Sequence, residues 1–327
     1  MTISNFKLKK LNKNIGKLKD KLKEFLISKS IEVNDNLTLL ELIELIPMQL
    51  IQPINLYQSL GGHTAVNINN KEIIFGGGSN NIQKLYDINS NIFVSKQNYP
   101  YTVTENDGAK YGDTIYYCGG RGSGTVANST YAYTIDTDTF TAKVNLPIGL
   151  SNHTFVATKD QFLLSGGLRA NSSTTTVANQ YIFNANDNVF SAKSNMRVAA
   201  DRHATSHIQD NQVLINGGNE TNNRFVNYIF DIESDSSTQK INLTVNRQDH
   251  KSLKISDNLI LINGGTDDTG NTTQIFDVET NVFINKKASP KTWRYHTLSR
   301  IGSNFLLSGG DNSQWSYSYK TDTYLSS

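Results

Sequence analysis

Short apolar runs alternate with polar stretches from about residue 50 to the end of the chain, and six of these runs close on a glycine pair. They read Ile73-Ile74-Phe75-Gly76-Gly77, Tyr116-Tyr117-Cys118-Gly119-Gly120 and Leu163-Leu164-Ser165-Gly166-Gly167. The same pattern returns as Leu214-Ile215-Asn216-Gly217-Gly218, Leu261-Ile262-Asn263-Gly264-Gly265 and Leu306-Leu307-Ser308-Gly309-Gly310. Runs of this length bounded by turn residues predict strands. A long period of this kind marks a repeat architecture, whose units cannot bury their apolar faces alone.

Other positions keep the same frame. An aromatic residue recurs at Tyr86, Tyr133, Phe183, Phe230, Phe276 and Tyr317. Seven residues later stand Phe93, Phe140, Phe190, Ser237, Phe283 and Tyr324. Thirteen residues beyond lie Asn106, His153, His203, His250 and His296, and His63 opens the first unit. Four strands per unit and six units predict six blades around an axis. Only the interval from the first glycine to the next aromatic varies widely: 10, 14, 17, 13, 12 and 8 residues. Exposed loops tolerate insertion and packed strands do not, so the loop between the second and third strands carries the variation, on one face.

These residues resemble the kelch family of β-propellers. The likeness lies in the strand ending in Gly-Gly, in the aromatic-Asp pairs Tyr86-Asp87, Phe230-Asp231 and Phe276-Asp277, and in the aromatic opening the outer strand. It spans residues 58–327. The family's usual outer-strand Trp is Phe or Tyr here, and Ser237 breaks the pattern in one blade. The resemblance implies an all-β, six-bladed kelch-type propeller and a binding role; it names no ligand. Either residues 50–56 or the segment around Tyr324 closes the ring, and Pro53 confines the former to a sheet edge.

The first fifty residues follow another rhythm. Leu8, Leu11, Ile15, Leu18, Leu22 and Phe25 are spaced by threes and fours, which predicts an amphipathic helix with a heptad seam. A second helix is expected from a cap at Asn36, ending near Pro47. The chain therefore divides into a helical anchor, residues 1–49, and a propeller, residues 50–327. The anchor is expected to form a hairpin, to dock on other proteins or to join copies of the chain.

Charge sharpens this division. Residues 1–30 hold nine Lys and two acids, whereas residues 31–57 hold four acids and no base. Of the 31 bases and 29 acids overall, 22 and 23 remain for the propeller. Phosphate binding needs clustered positive charge, so nucleic acid is not the expected partner of this neutral unit. The single cysteine, Cys118, excludes an intrachain disulfide and reads as a small buried side chain. Residues 1–30 lack the continuous apolar core of a secretory signal, and no run is long enough to span a bilayer.

Residues 22–33 and 39–46 resemble a short segment of virion proteins from phages of Gram-positive bacteria, with Ser30 where that segment carries glycine. The resemblance implies a virion structural protein, a fibre or tail appendage made in a host cytoplasm and held to other virion proteins through residues 1–49.

The repeated histidines, several with a basic neighbour (Arg202, Arg247, Arg294), start the innermost strands near the mouth of a central channel. A residue type that repeats with the motif points to architecture before it points to a metal or anion site. The Ser-x-Asp-x-Gly-x-Thr-Trp boxes of sialidases are absent, and Cys118 sits badly for the cross-linked copper site of galactose oxidase. A sugar mutarotase on six blades needs only acid and base groups at the mouth, and an intracellular protein-interaction module is a further alternative. The leading expectation is a non-catalytic binder without cofactor or metal. Its ligand is a host cell-wall glycan, taken by the Asn-, Ser- and Thr-rich loops around Arg121, Arg169, Arg224, Trp293 and Trp315.

Overall fold

The computed structural model describes residues 5–28, 38 and 62–327, except 79–80, 89, 91, 123–124, 160, 170–174, 220–224, 267–269, 303, 310–313, 319, 321 and 327. The expected second helix and the strand candidate at residues 50–56 lie outside the described residues. The first helix, α1, runs Asn5–Ser28.

Six four-stranded antiparallel sheets follow. The first blade comprises His63–Asn67, Glu72–Gly77, Gln83–Asp87 and Ile92–Lys96. The innermost strands of the other blades are Asp107–Tyr111, Thr154–Ala157, Ala204–Gln209, Lys251–Lys254 and Thr297–Ile301. Innermost strands of successive blades lie side by side around the axis, and the first also meets the sixth. The molecule is a six-bladed β-propeller with a short N-terminal helix.

Burial explains the strand patterns. The second strand of each blade is covered on both faces by neighbouring blades, so it reads as an unbroken apolar run: Ile73, Ile74 and Phe75 are all buried. The outer strands alternate, with Ile92 and Val94 exposed and Phe93 turned inward. Each inward ring lies directly opposite the framed aromatic of the third strand. Ring centroids are 4.8 Å apart for Tyr86–Phe93, 4.9 Å for Tyr133–Phe140, 4.7 Å for Phe183–Phe190, 4.8 Å for Phe276–Phe283 and 4.5 Å for Tyr317–Tyr324. In the fourth blade Ser237 faces Phe230, and the strand pairing persists without the second ring.

A repeated polar latch joins the blades at their outer ends. Asp138, Asn188, Asp235, Asn281 and Asp322 each adopt a left-handed conformation in the turn between third and fourth strands. Each accepts a hydrogen bond from a backbone N–H of the preceding blade: Gln97 at 2.8 Å, Val144 at 3.1 Å, Ser194 at 2.9 Å, Ile241 at 3.0 Å and Lys287 at 2.8 Å. Asp and Asn tolerate this conformation better than most residues, which accounts for their place there.

The ring closes through side chains. Ile73, Phe75, Tyr86 and Ile88 of the first blade form one cluster with Ile301 and Leu306 of the sixth. Asn67 Nδ2 donates to the Arg300 carbonyl at 2.6 Å, and Arg300 N donates back to Asn67 Oδ1 at 3.0 Å. The outer strand of the sixth blade is Thr323–Ser326, so the segment around Tyr324 takes the closing position.

Candidate functional site

The innermost strand starts where the second-to-third-strand loops emerge, so the framed histidines and the variable loops share one face. The histidines are fully or nearly buried between blades. His153 Nε2 lies 3.3 Å from Cys118 Sγ, His203 Nε2 lies 3.1 Å from the hydroxyls of Thr154 and Ser165, and His250 Nε2–H donates to Asn216 Oδ1 at 2.6 Å. His63 reaches Thr297 Oγ1 at 3.3 Å across the closing seam. Burial pulls the His153 imidazole down to about 4, against the opposing charge of Asp107. Burial pulls His203 down to about 3 and lowers His250 and His296 far below the usual histidine range. The neutral imidazoles of His153, His203 and His250, each in contact with a neighbouring blade, are joints; both ring nitrogens of His296 are buried without a hydrogen-bond partner among the described residues.

The glycine pair makes room for these joints. Gly166 has φ +59°, and a Cβ there would sit 2.3 Å from the Ala200 carbonyl oxygen and 2.8 Å from His203 Cε1 of the next blade. Gly167 has φ +104°, and its Cβ would meet His153 Cβ and the Ser151 carbonyl oxygen, both at 2.8 Å. One glycine thus admits the next blade's histidine and the other its own.

The residue just before each framed position forms the rim of the channel mouth: Gly62, Glu105, Asn152, Arg202, Asp249 and Tyr295 in blade order. All six have left-handed backbones, with φ of 73°, 58°, 52°, 56°, 56° and 53°. Backbone hydrogen bonds pass from blade to blade along the rim. Glu105 N donates to Gly62 O at 3.1 Å, Asn152 N to Glu105 O at 3.0 Å, Arg202 N to Asn152 O at 2.9 Å, and Asp249 N to Arg202 O at 3.0 Å. Left-handed non-glycine residues are uncommon, and a run of them around a cavity is the kind of strain that clusters at functional sites.

The rim bounds a small cavity of about 80 Å³, which Lys251 and Thr154 also line. Its charges are mixed. Arg202 Nε lies 3.5 Å from Asp201 Oδ2 and 3.7 Å from Asp249 Oδ1. Arg121 Nε lies 3.4 Å from Glu105 Oε2. Burial pushes the Asp249 carboxyl up to about 6, opposed by Arg202, Lys251 and Arg294 and reinforced by Asp201. Burial raises Asp201 too, against the pull of Arg202. Among the described residues, Asn152 Nδ2, Glu105 Oε2 and Asp249 Oδ2 are buried atoms without a hydrogen-bond partner. Tyr295 is 37 % exposed, with the Arg294 guanidinium 5.1 Å from its ring centre. The six-blade order sets Glu105 opposite Asp249, and Asn152 opposite Tyr295. Donors, acceptors and one aromatic face thus surround a single cavity.

The comparisons with known proteins bear on the fold. A solved structure, that of YjhT, matches with a TM-score of 0.72 over 85 % of this chain and 99 % of that one, at 10 % sequence identity. The chain shares its propeller fold. No family model matches the chain, and no curated protein matches it in sequence.

The loop residues singled out from the sequence divide. Arg121 stands at the rim beside Glu105, in a two-residue strand paired with Thr125–Val126. Arg169 is exposed in Leu168–Arg169, which pairs with Leu150–Ser151 on the same face. Arg224 lies outside the described residues. Trp293 is not a loop contact: it is 1 % exposed, and its Nε1–H donates to Ser289 Oγ at 2.5 Å. It occupies the position three before the framed histidine, where Val103, Leu150, Ala200 and Arg247 are also buried. Four residues earlier the partners are Tyr99, Leu146, Met196, Leu243 and Ser289, so a small residue there meets the large Trp293, as Met196 meets Ala200. Trp315 lies inside the strand Gln314–Ser318, opposite Leu307 and Ser326, and not in a loop. Arg247 is buried too, donating to the carbonyls of Gly264 at 2.6 Å and Thr272 at 3.2 Å, so it does not face the mouth as a free base.

Glu105, Asn152, Asp249, Lys251 and Tyr295 went unnoticed as site residues. For Glu105, Asn152, Asp249 and Tyr295 a signal was present: the residue before the framed position differs in every unit, while the framed position itself is histidine in five of the six.

Proposed function

We propose that the protein is a non-catalytic kelch-type binding propeller that takes a neutral, hydroxyl-rich ligand, a glycan, at the channel mouth. The observation that carries this reading is the rim. One repeated backbone position presents six different residues: a carboxylate, an amide, a guanidinium, a second carboxylate, a phenol and a glycine gap. Scaffold positions repeat their residue type, as the histidines do; a recognition surface varies it. Charges of both signs line the cavity, Glu105, Asp107 and Asp249 against Arg202 and Lys251, which suits a polyol better than an anion. Planar charged side chains pair with vicinal hydroxyls, and the Tyr295 ring offers an apolar face to a sugar's C–H side.

The setting we propose is a virion appendage that binds a host cell wall and joins other virion proteins through residues 1–49. Support for it comes from the phage-like segment at residues 22–46. The test is retention of the full-length protein on Gram-positive cell walls, before and after enzymatic removal of wall glycan. Arg202→Ala and Asp249→Asn should each lower retention, and Arg169→Ala should lower it less. Retention unchanged by glycan removal would refute glycan as the ligand. Structural change in the glycan after incubation, followed by NMR, would refute the non-catalytic reading. Detection of the protein in purified particles tests the virion setting.

A further inference from the structure

The sequence of helix α1 carries an apolar seam, and two of its residues in the middle of the helix are exposed: Ile15 by 40 % and Leu18 by 54 %. Along the helix, Leu8, Ile15 and Leu22 take one core position of a heptad, and Leu11, Leu18 and Phe25 take the other. No polar residue interrupts the seam. Residues 1–30 hold nine lysines, and like charges that face one another across a seam would oppose pairing with a second copy.

Register removes the objection. The positions flanking the seam are Lys7, Asn14 and Lys21 on one side and Asn12, Lys19 and Leu26 on the other. In a parallel pair each flank residue meets the opposite flank one heptad on: Lys7 meets Asn12, Asn14 meets Lys19, and Lys21 meets Leu26. In an antiparallel pair Asn12 meets Lys19, and Asn14 meets Lys21. No lysine meets a lysine in either orientation. Lys9, Lys10, Lys13, Lys17 and Lys23 fall on the outer positions of the heptad. Gly16 is an outer position too, and a Cβ there would meet nothing within 4 Å. An acidic partner helix would find only three lysines beside the seam, each diluted by a neutral residue.

We infer that α1 pairs with α1 of a second copy of this chain through the seam, so that the protein is an oligomer carrying more than one propeller. The test is sedimentation equilibrium of the full chain from 1 to 100 µM, at 50 mM and 500 mM salt. The expected result is a mass that is a multiple of the chain's, with association tighter at high salt because the outer lysines are then screened. Ile15→Asp with Leu18→Asp should give a monomer whose propeller melts as in the parent. Gly16→Ala should lower the dissociation constant several-fold, since alanine favours the helix that pairing requires. A monomeric parent at 100 µM in both salts would overturn the inference. So would an oligomer that survives the double aspartate change, because association would then lie elsewhere.

Discussion

Lowering the pH from 6 to 4 should strongly destabilise this propeller, and the buried histidines set the size of the effect. In the unfolded chain an imidazole titrates near 6.5. In the folded chain His153 is pulled down to about 4 and His203 to about 3, while His250 and His296 lie far below their usual range. A base with a depressed folded value contributes stability above its unfolded value, and that stability drains away as pH falls toward the folded value. Each imidazole therefore costs about 1.4 kcal/mol per pH unit in this window. Asp249, raised to about 6, and Asp201, raised in the same direction, work the other way. A carboxyl with a raised folded value regains stability as pH drops through that value. Four protons against the one of Asp249, with Asp201 opposing in the same sense, leave a net of about two to three, or about 3–4 kcal/mol per pH unit, and about 5–8 kcal/mol between pH 6 and 4. Domains are stable by only about 5–15 kcal/mol, so the loss is large. Urea unfolding at pH 7.5, 6.0, 5.0 and 4.5 measures it. Asn106 already fills the histidine frame in the second blade, so His153→Asn with His203→Asn is the substitution the fold accommodates best. It should flatten the dependence by about two protons. A parent whose stability does not fall between pH 6 and 4.5, or variants with the parent's slope, would refute the reasoning.

Other outcomes follow from the same contacts. Asp249→Asn should steepen the acid dependence of urea unfolding by about one proton, since it removes an opposing group. Replacing Gly166 and Gly167 by Ala should cost several kcal/mol by thermal or urea unfolding, because one Cβ meets a carbonyl oxygen at 2.3 Å and both backbones are left-handed. Trp293→Ala should cost about 3–5 kcal/mol of stability, since Ser289 is too small to fill the gap; unchanged stability with lost glycan retention would restore it as a ligand contact. Ser237→Phe should stabilise the fourth blade by about 0.5–1.5 kcal/mol on top of its buried area, by completing the ring pair with Phe230 that five other blades possess.

The blades were legible because their signal is repetition. The doubly covered second strand, the glycine pair and the facing aromatics each recur in frame, and the frame survives the one exception at Ser237. The structural part of the histidines was legible for the same reason. The rim was not, because a recognition position in a symmetric scaffold advertises itself by changing, and a single chain gives no way to tell that change from drift. Left-handed φ added to the concealment: Gly62 and Asn152 suit it by type, but Arg202 and Tyr295 carry no such mark. Trp293 misled because its neighbours Lys291, Thr292 and Arg294 are polar, so the segment reads as an exposed loop. Only alignment with Val103, Leu150 and Ala200 reveals an inward slot. The latch residues Asp138, Asn188, Asp235, Asn281 and Asp322 look like ordinary turn formers, and nothing local announces that each reaches into another blade.

The backbone relay around the mouth has a consequence for how such a molecule can change its target. From Gly62 to Asp249 the rim is linked through main-chain amides and carbonyls, so a side chain there can be exchanged without breaking those links. The left-handed backbone then acts as a filter on what may be tried. Glycine, asparagine and aspartate enter at little cost, long unbranched and aromatic residues at more, and valine, isoleucine and threonine are nearly barred by the clash at their branched Cβ. A variant library built at these six positions should therefore yield folded proteins in proportion to that order, whatever ligand it is later selected against. The alphabet with which this surface can be rewritten is set by the geometry of the main chain.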